Sequence, residues 1–137
     1  MRPDTLPGLL LLEPYFVLRH TVAAVARELR IADIVEATSL ESATQMLEHR
    51  AFDACLVSVG EERHELALIQ RLRDGALASR PETPVAVTAA TVDAGLVLAL
   101  KEMHVSRVVL KPFKVKVMLE TLSKILGDRD IAGAPGG

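Results

Sequence analysis

Short apolar runs alternate with longer segments of helical period along most of this chain. The first run, Leu9-Leu10-Leu11-Leu12, is followed by Glu13 and Pro14. A segment from about Tyr15 to Leu29 comes next, in which Phe16, Val17, Ala23, Ala26 and Leu29 recur near the helical period of about 3.6 residues. A second run, Ile34-Val35-Glu36-Ala37, leads into Thr38-Ser39-Leu40-Glu41. There Thr38 as N-cap, with Glu41 three positions on, predicts a capping box and a helix to about His49. The third run, Ala54 to Val59, is unbroken in apolar character before Ser58, as expected of a central strand buried on both faces, and Gly60 ends it. Glu61 to Arg73 predicts a helix with Leu66, Ile69 and Leu72 on one side, an acidic first turn and a basic last turn that suit the macrodipole, closed by Gly75. After the loop from Pro81 to Pro84 the pattern gives a fourth strand at Val85-Ala86-Val87-Thr88 and a fourth helix from Val92 to Met103. A fifth strand at Val108-Val109-Leu110 and a fifth helix from Val115 to Leu126 complete it, with Gly127 placed as the C-cap.

Strict alternation of strand and helix predicts a parallel sheet, because each right-handed crossover returns the chain to the same edge and lays a helix on one face. The architecture expected is a three-layer α/β sandwich. In such sheets a site lies at the carboxyl ends of the strands, beside the place where strand order reverses. That edge carries Glu13, Pro14, Ser58, Gly60, Thr88, Ala89 and Lys111.

Composition narrows the class. A chain of 137 residues, half of them hydrophobic, can bury one sizeable core and is too short for two ordinary domains. The folded part is expected over Leu9 to Gly127, after a loose lead-in over residues 1–8 that holds Pro3, Pro7 and Gly8. A disordered tail over residues 128–137, rich in Ala, Gly and Pro, should follow it. Lys and Arg number 16 against 18 Asp and Glu, a formal net charge of −2, so there is no basic surplus to drive binding to a nucleic-acid backbone. Leu9 to Leu12 is too short for a membrane span and a poor signal peptide, since only Arg2 is basic before it and no small-residue cleavage pattern follows. The single cysteine, Cys55, sits in an apolar run as a small buried hydrophobe, which fits a reducing compartment; the expected location is the cytoplasm.

The four strand-end stretches "LLLLEP", "DACLVSV", "TPVAVTAA" and "VVLKPF", in this order and spacing, resemble the strand-end motifs of bacterial response-regulator receiver domains over Leu9 to Leu126. The resemblance implies a flavodoxin-like fold, a five-stranded parallel sheet in order 2-1-3-4-5 with about five helices. In that family an acidic pair ends the first strand, an aspartate that accepts a phosphoryl group ends the third, a Thr or Ser ends the fourth, and a Lys followed by Pro ends the fifth. The counterparts here are Glu13 and Pro14 for the acidic pair and Ser58 for the phosphoacceptor. Counting from Pro84 and back from Lys111 gives Ala89 for the hydroxyl residue, with Thr88 as its neighbour. Val108 stands for the aromatic that reports phosphorylation, and Lys111-Pro112 is retained. The family makes Lys111-Pro112 a candidate cis peptide.

Receiver autophosphorylation needs a carboxylate nucleophile, a Mg²⁺ held by several oxygens, and donors around the transferred phosphoryl group. The strand ends here keep one clear carboxylate, so the pocket formed by Glu13, Pro14, Ser58, Gly60, Thr88, Ala89, Val108, Lys111 and Pro112 is expected to be vestigial. No catalytic residue, metal or cofactor is assigned. Lys111 is expected to pair with Glu13 rather than stand as an isolated charge. Glu61 and Glu62 are expected to act as N-terminal helix charges. His20, His49, His64 and His104 lack the spacing of a metal site or a triad. The segment after the first strand, Glu13-Pro14-Tyr15-Phe16, offers no Gly or Ser/Thr cluster to cradle a phosphate, which disfavours a nucleotide or flavin binder.

The uncharged stretch Ala94 to Leu100 is apolar nearly all round and points to a covered helix. With the face of the fourth helix, fifth strand and fifth helix as the usual partner surface of receivers, Leu96, Leu100, Val115 and Val117 are candidate interface residues for a homodimer or another protein. The function expected is a receiver-like signalling module that is not an enzyme and acts by phosphorylation-independent protein contacts. Its partners would be a histidine kinase, another regulator or an output protein, with neither nucleic acid nor membrane. The alternative is a conventional response regulator of a two-component phosphorelay. Only residues 127–137 follow the fifth helix, so any effect is expected to pass through a partner, unless the chain is a piece of a longer protein.

Overall fold

A computed structural model of the protein describes residues 5–127. The tail expected over 128–137 and the first four residues of the lead-in lie outside the described residues. Strand β1 (Gly8–Leu12) precedes helix α1 (Phe16–Glu28), followed by β2 (Asp33–Ala37), α2 (Leu40–His49), β3 (Ala54–Val59) and α3 (Glu65–Arg73). Then come β4 (Val85–Ala89), α4 (Ala94–Glu102), β5 (Arg107–Leu110), α5 (Val115–Leu122) and a π-helical turn, Ser123–Gly127. The five strands pair in parallel in the order β2-β1-β3-β4-β5, so strand order reverses between β1 and β3.

Because side chains alternate across a strand, each strand supplies two cores. Leu10, Leu12, Cys55, Val57, Val85 and Val87 face one side, where α2, α3 and α4 cover them with Leu47, Leu68, Leu72, Leu96 and Leu100. Leu9, Leu11, Leu56 and Ala86 face the other, against Ala23 and Ala26 of α1 and Met118 and Leu122 of α5. β3 is buried along its whole length, as expected of a central strand.

Several boundaries differ from the sequence reading, each for a local reason. The cap of α2 is Ser39, one residue beyond Thr38: Ser39 Oγ accepts from Ser42 N–H (3.1 Å) and Ser42 Oγ accepts from Ser39 N–H (3.2 Å). The capping box is therefore Ser39/Ser42 rather than Thr38/Glu41. α3 begins at Glu65, not Glu61, because Arg63 takes a left-handed backbone (φ 62°) that no helix can continue through. Glu61 and Glu62 accordingly lie exposed in the turn before the helix and do not form its first turn. α4 starts after Asp93, whose carboxylate accepts from Leu96 N–H at 2.8 Å. The last helix widens from α to π geometry at Ser123, so Gly127 ends a π-helical turn instead of capping an α-helix. Gly75, with φ 78°, closes α3 where a side chain would be strained.

The apolar α4 is not covered all round. Leu96 and Leu100 lie in the core at 1% exposure, whereas Val97 and Leu98 on the same helix are open to solvent. Leu96 and Leu100 are thus excluded as interface residues: spaced four apart, they form the inward stripe of the helix. Val115 is exposed and Val117 half-buried. No helix among the described residues is long and apolar enough to cross a membrane.

Candidate functional site

The carboxyl edge of the sheet brings together the side chains that the strand-end motifs singled out. β1 and β3 pair Leu12 with Val57, and β3 and β4 pair Ser58 with Thr88. Continuing the alternation places Glu13, Ser58, Thr88 and Lys111 on the side of the sheet covered by α1 and α5. Ala89, in register with Val59, belongs to the opposite core. Counting from Pro84 had pointed to Ala89; the register puts Thr88 beside Ser58 instead, since a shift of one residue moves a side chain to the other face. Val108 packs with the α4-side core and has no ring.

Lys111 is the centre of the site. Its ammonium lies 2.7 Å from Glu13 Oε1 and donates to Ser58 Oγ at 2.8 Å, while the Tyr15 ring centroid sits 5.6 Å away. The chain is led into place by Lys111 N–H donating to Ala89 C=O (2.8 Å) and by a cis peptide bond to Pro112. Glu13 is 3% exposed, and its second oxygen, Oε2, accepts from Tyr15 N–H at 3.0 Å. Arg19 holds the same strand end by donating to Glu13 C=O (3.0 Å) while its Nε meets Glu36. The expected Lys111–Glu13 pair is therefore present, and the Ser58 hydroxyl joins it. Tyr15 and Arg19 were not singled out in the sequence. The close spacing of Tyr15 to Glu13 is the only signal that could have pointed to the former, and Arg19 has none.

Beside this triangle opens a cleft of about 570 Å³ whose walls include Tyr15, Ser58, Gly60, Arg63, Thr91 and Lys111. Gly60 N–H donates to Glu65 Oε1 (3.1 Å), closing the turn after β3. Arg63, which lines the cleft, meets Asp93 Oδ2 at the start of α4 through its Nη2 at 2.7 Å. Hydrogen bonding from Arg63, then from Leu96 N–H, holds the Asp93 carboxyl below its ordinary range.

The arrangement restricts the chemistry. A serine becomes a nucleophile only when a neighbouring base takes its proton. Here the atom facing Ser58 Oγ is an ammonium nitrogen that donates to it, and both oxygens of Glu13 already accept from other groups. A divalent cation of the Mg²⁺ type needs about six oxygen ligands in near-octahedral array. Pro14 offers no side-chain ligand, Ser58 offers a hydroxyl committed to Lys111, and Glu13 is the one carboxylate of the triangle, so these residues do not fit such an ion. Among the described residues no cluster of three or more His, Cys, Asp or Glu side chains is placed to hold a metal. His20, His49, His64 and His104 are all exposed and separate.

The sequence matches no protein-family model and no curated protein. The three-dimensional structure, by contrast, is similar to many solved ones. A response regulator from Thermotoga maritima superposes with a TM-score of 0.71 at 28% identity, over 88% of this chain and 97% of that one. A response regulator receiver domain protein from Methanospirillum hungatei gives 0.79 at 12% identity, over 93% and 99%. A chemotaxis protein of Vibrio cholerae gives 0.76 at 15% identity, over 89% and 100%. With five parallel strands in the order β2-β1-β3-β4-β5 and these likenesses, the chain folds as a response-regulator receiver domain.

Proposed function

We propose that this receiver-fold chain is a signalling module that works by protein contacts without phosphorylation. The observation that carries the reading is the triangle of Lys111 with Glu13 and Ser58. Where phosphoryl transfer needs a free carboxylate and a metal, the chain presents a hydroxyl that accepts from a lysine already paired with the remaining acid. The surface that would carry the signal is the face of α4, β5 and α5. There Leu98, Leu110 and Val115 are each half or more exposed, and they replace Leu96 and Leu100 as the candidate contacts. A histidine kinase, another regulator, an output protein or a second copy of the chain would dock there.

The competing reading, a conventional response regulator in a two-component relay, is favoured by the retained Lys111-Pro112 and Glu13. Light scattering of the protein with and without acetyl phosphate and Mg²⁺ separates the two. The proposal expects one assembly state in both conditions, altered by Leu98→Glu with Leu110→Glu if the chain self-associates. An assembly state that changes on adding acetyl phosphate contradicts it.

A further inference from the structure

We propose that the apolar groove between α1 and α5 seats the same groove of a second copy of this chain, across a two-fold axis. α1 and α5 lie on one face of the sheet and run in the same direction, since each follows a strand of a parallel sheet. Between them Leu18, Val22, Val25, Val115, Met118 and Leu119 line a hollow of about 70 Å³. The one side-chain hydroxyl on its wall, Thr21 Oγ1, is spent on Val17 C=O at 2.8 Å, so these side chains offer a polar ligand nothing. The rim is apolar and open to solvent: Val17 is 74% exposed and Val115 50%.

The charges at the rim choose the occupant. On α1 the exposed positions Val17, Thr21, Ala24 and Glu28 follow helical spacing and form the outer flank of the groove. On α5 Lys116 stands next to Val115 and three positions before Leu119, on the opposite flank. Glu28 ends α1 whereas Lys116 is in the first turn of α5, so these two exposed charges lie at diagonal corners of the face. Their charged neighbours are engaged elsewhere, Arg27 with Glu36 (3.0 Å) and Glu120 with Arg107 (3.9 Å). Neither Glu28 nor Lys116 has an ion pair among the described residues. A rim of one sign would call for a partner of the other sign. A rim with opposite signs at opposite corners complements itself: a two-fold axis in the plane of the face, along the diagonal from Val17 towards Leu122, exchanges the two corners. Each Lys116 then meets Glu28 of the other copy while the apolar hollows close on one another, an isologous contact in which one patch serves both copies. Apart from Val115 this face is separate from that of α4, β5 and α5, which it leaves to a different partner.

Sedimentation equilibrium of the full chain carrying Leu98→Glu and Leu110→Glu, which silence the face of α4, β5 and α5, reads this face alone. In that background a monomer–dimer equilibrium is expected at concentrations up to about 1 mM. Adding Val17→Glu should abolish it with an unchanged circular dichroism spectrum, because Val17 belongs to neither core. Lys116→Glu or Glu28→Lys should each raise the dissociation constant about tenfold, because two exposed pairs turn from attraction to repulsion. Mixing those two variants should restore the unsubstituted constant, since every corner of one then meets a corner of opposite sign on the other. A background chain that stays monomeric, charge reversals without effect, or a mixture no tighter than its parts overturns the proposal. If removing residues 128–137 lets a monomeric chain dimerise, the groove belongs to that tail and the proposal is equally overturned.

Discussion

Two half-buried cations stand at opposite edges of the same sheet, and the protein holds them by different means. At the amino edge Arg73, from the end of α3, donates to four backbone carbonyls: Met103 (2.7 Å), Pro81 (2.7 Å), Thr83 (2.7 Å) and His104 (3.3 Å). At the carboxyl edge Lys111 meets one carboxylate and one hydroxyl side chain. The carbonyls around Arg73 belong to segments flanking β4 and β5, so that cation is a clasp which draws α3, the loop before β4 and the turn before β5 together. Burial lowers its affinity for a proton below the ordinary arginine value, and no ligand could replace four carbonyls at once. Lys111 lies at the wall of an open cleft, with partners supplied by side chains that evolution could exchange one at a time. On the proposed reading the scaffold and the strand-end pocket are separable: the clasp and the two cores hold the fold, while at the edge Lys111, Glu13 and Ser58 satisfy one another.

The comparison can be broken first at Lys111. Lys111→Met leaves the Glu13 carboxylate buried without its cation and is expected to cost about 3 kcal/mol in urea unfolding. Combining it with Glu13→Gln should recover part of the loss, and a single variant as stable as the wild type would show that the pair is not what settles the edge. Arg73→Met should cost about 2 kcal/mol, because it strips donors from several carbonyls at once. Unlike the Lys111 loss, it should not be relieved by any single second substitution at an acid.

Cys55 sharpens the same contrast through pH. Burial, partly offset by the nearby Arg73 guanidinium, pushes its thiol from 9.0 up to about 12. The folded value is raised, so the unfolded chain loses its thiol proton first as pH climbs. The stabilisation is whole below about pH 9 and declines between there and about 12. Stability should therefore fall about 1.4 kcal/mol more per pH unit above 9 in the wild type than in Cys55→Ala, as read from urea midpoints between pH 8 and 10. Equal slopes would contradict it. The smallest effect is that of Ser58→Ala, which removes one acceptor from Lys111 while leaving the ion pair, and should cost about 1 kcal/mol by the same measurement.

How much of this was legible depends on whether the deciding physics is local. Strands buried on both faces are continuous apolar runs, so β1, β3 and β4 stand out from their neighbours. The Lys111–Glu13 pair was legible because a parallel fold brings strand ends to one edge, where an isolated acid and base meet. Ends of helices were less so: Thr38 and Ser39 are adjacent residues equally able to cap, and only the extended backbone at Ser39 chooses between them. α4 misled for a related reason. Its inward Leu96 and Leu100 and outward Val97 and Leu98 are all apolar, so the period carries no polar side to mark the surface. Ala89 and Thr88 differ by one position, hence by a whole face, and register is a property of paired strands. The contacts of Arg73 with Met103 and of Arg63 with Asp93 each join residues thirty positions apart and left no local sign.

The central claim is that the edge built on Lys111, Glu13 and Ser58 accepts no phosphoryl group. Incubation of the full chain with acetyl phosphate and Mg²⁺, followed by intact mass at neutral pH and after acid treatment, tests it most directly. The account predicts an unchanged mass for the wild type and for Ser58→Asp, because Pro14 still denies the edge its second acid. A stoichiometric gain of one phosphoryl group on the wild-type chain would contradict it.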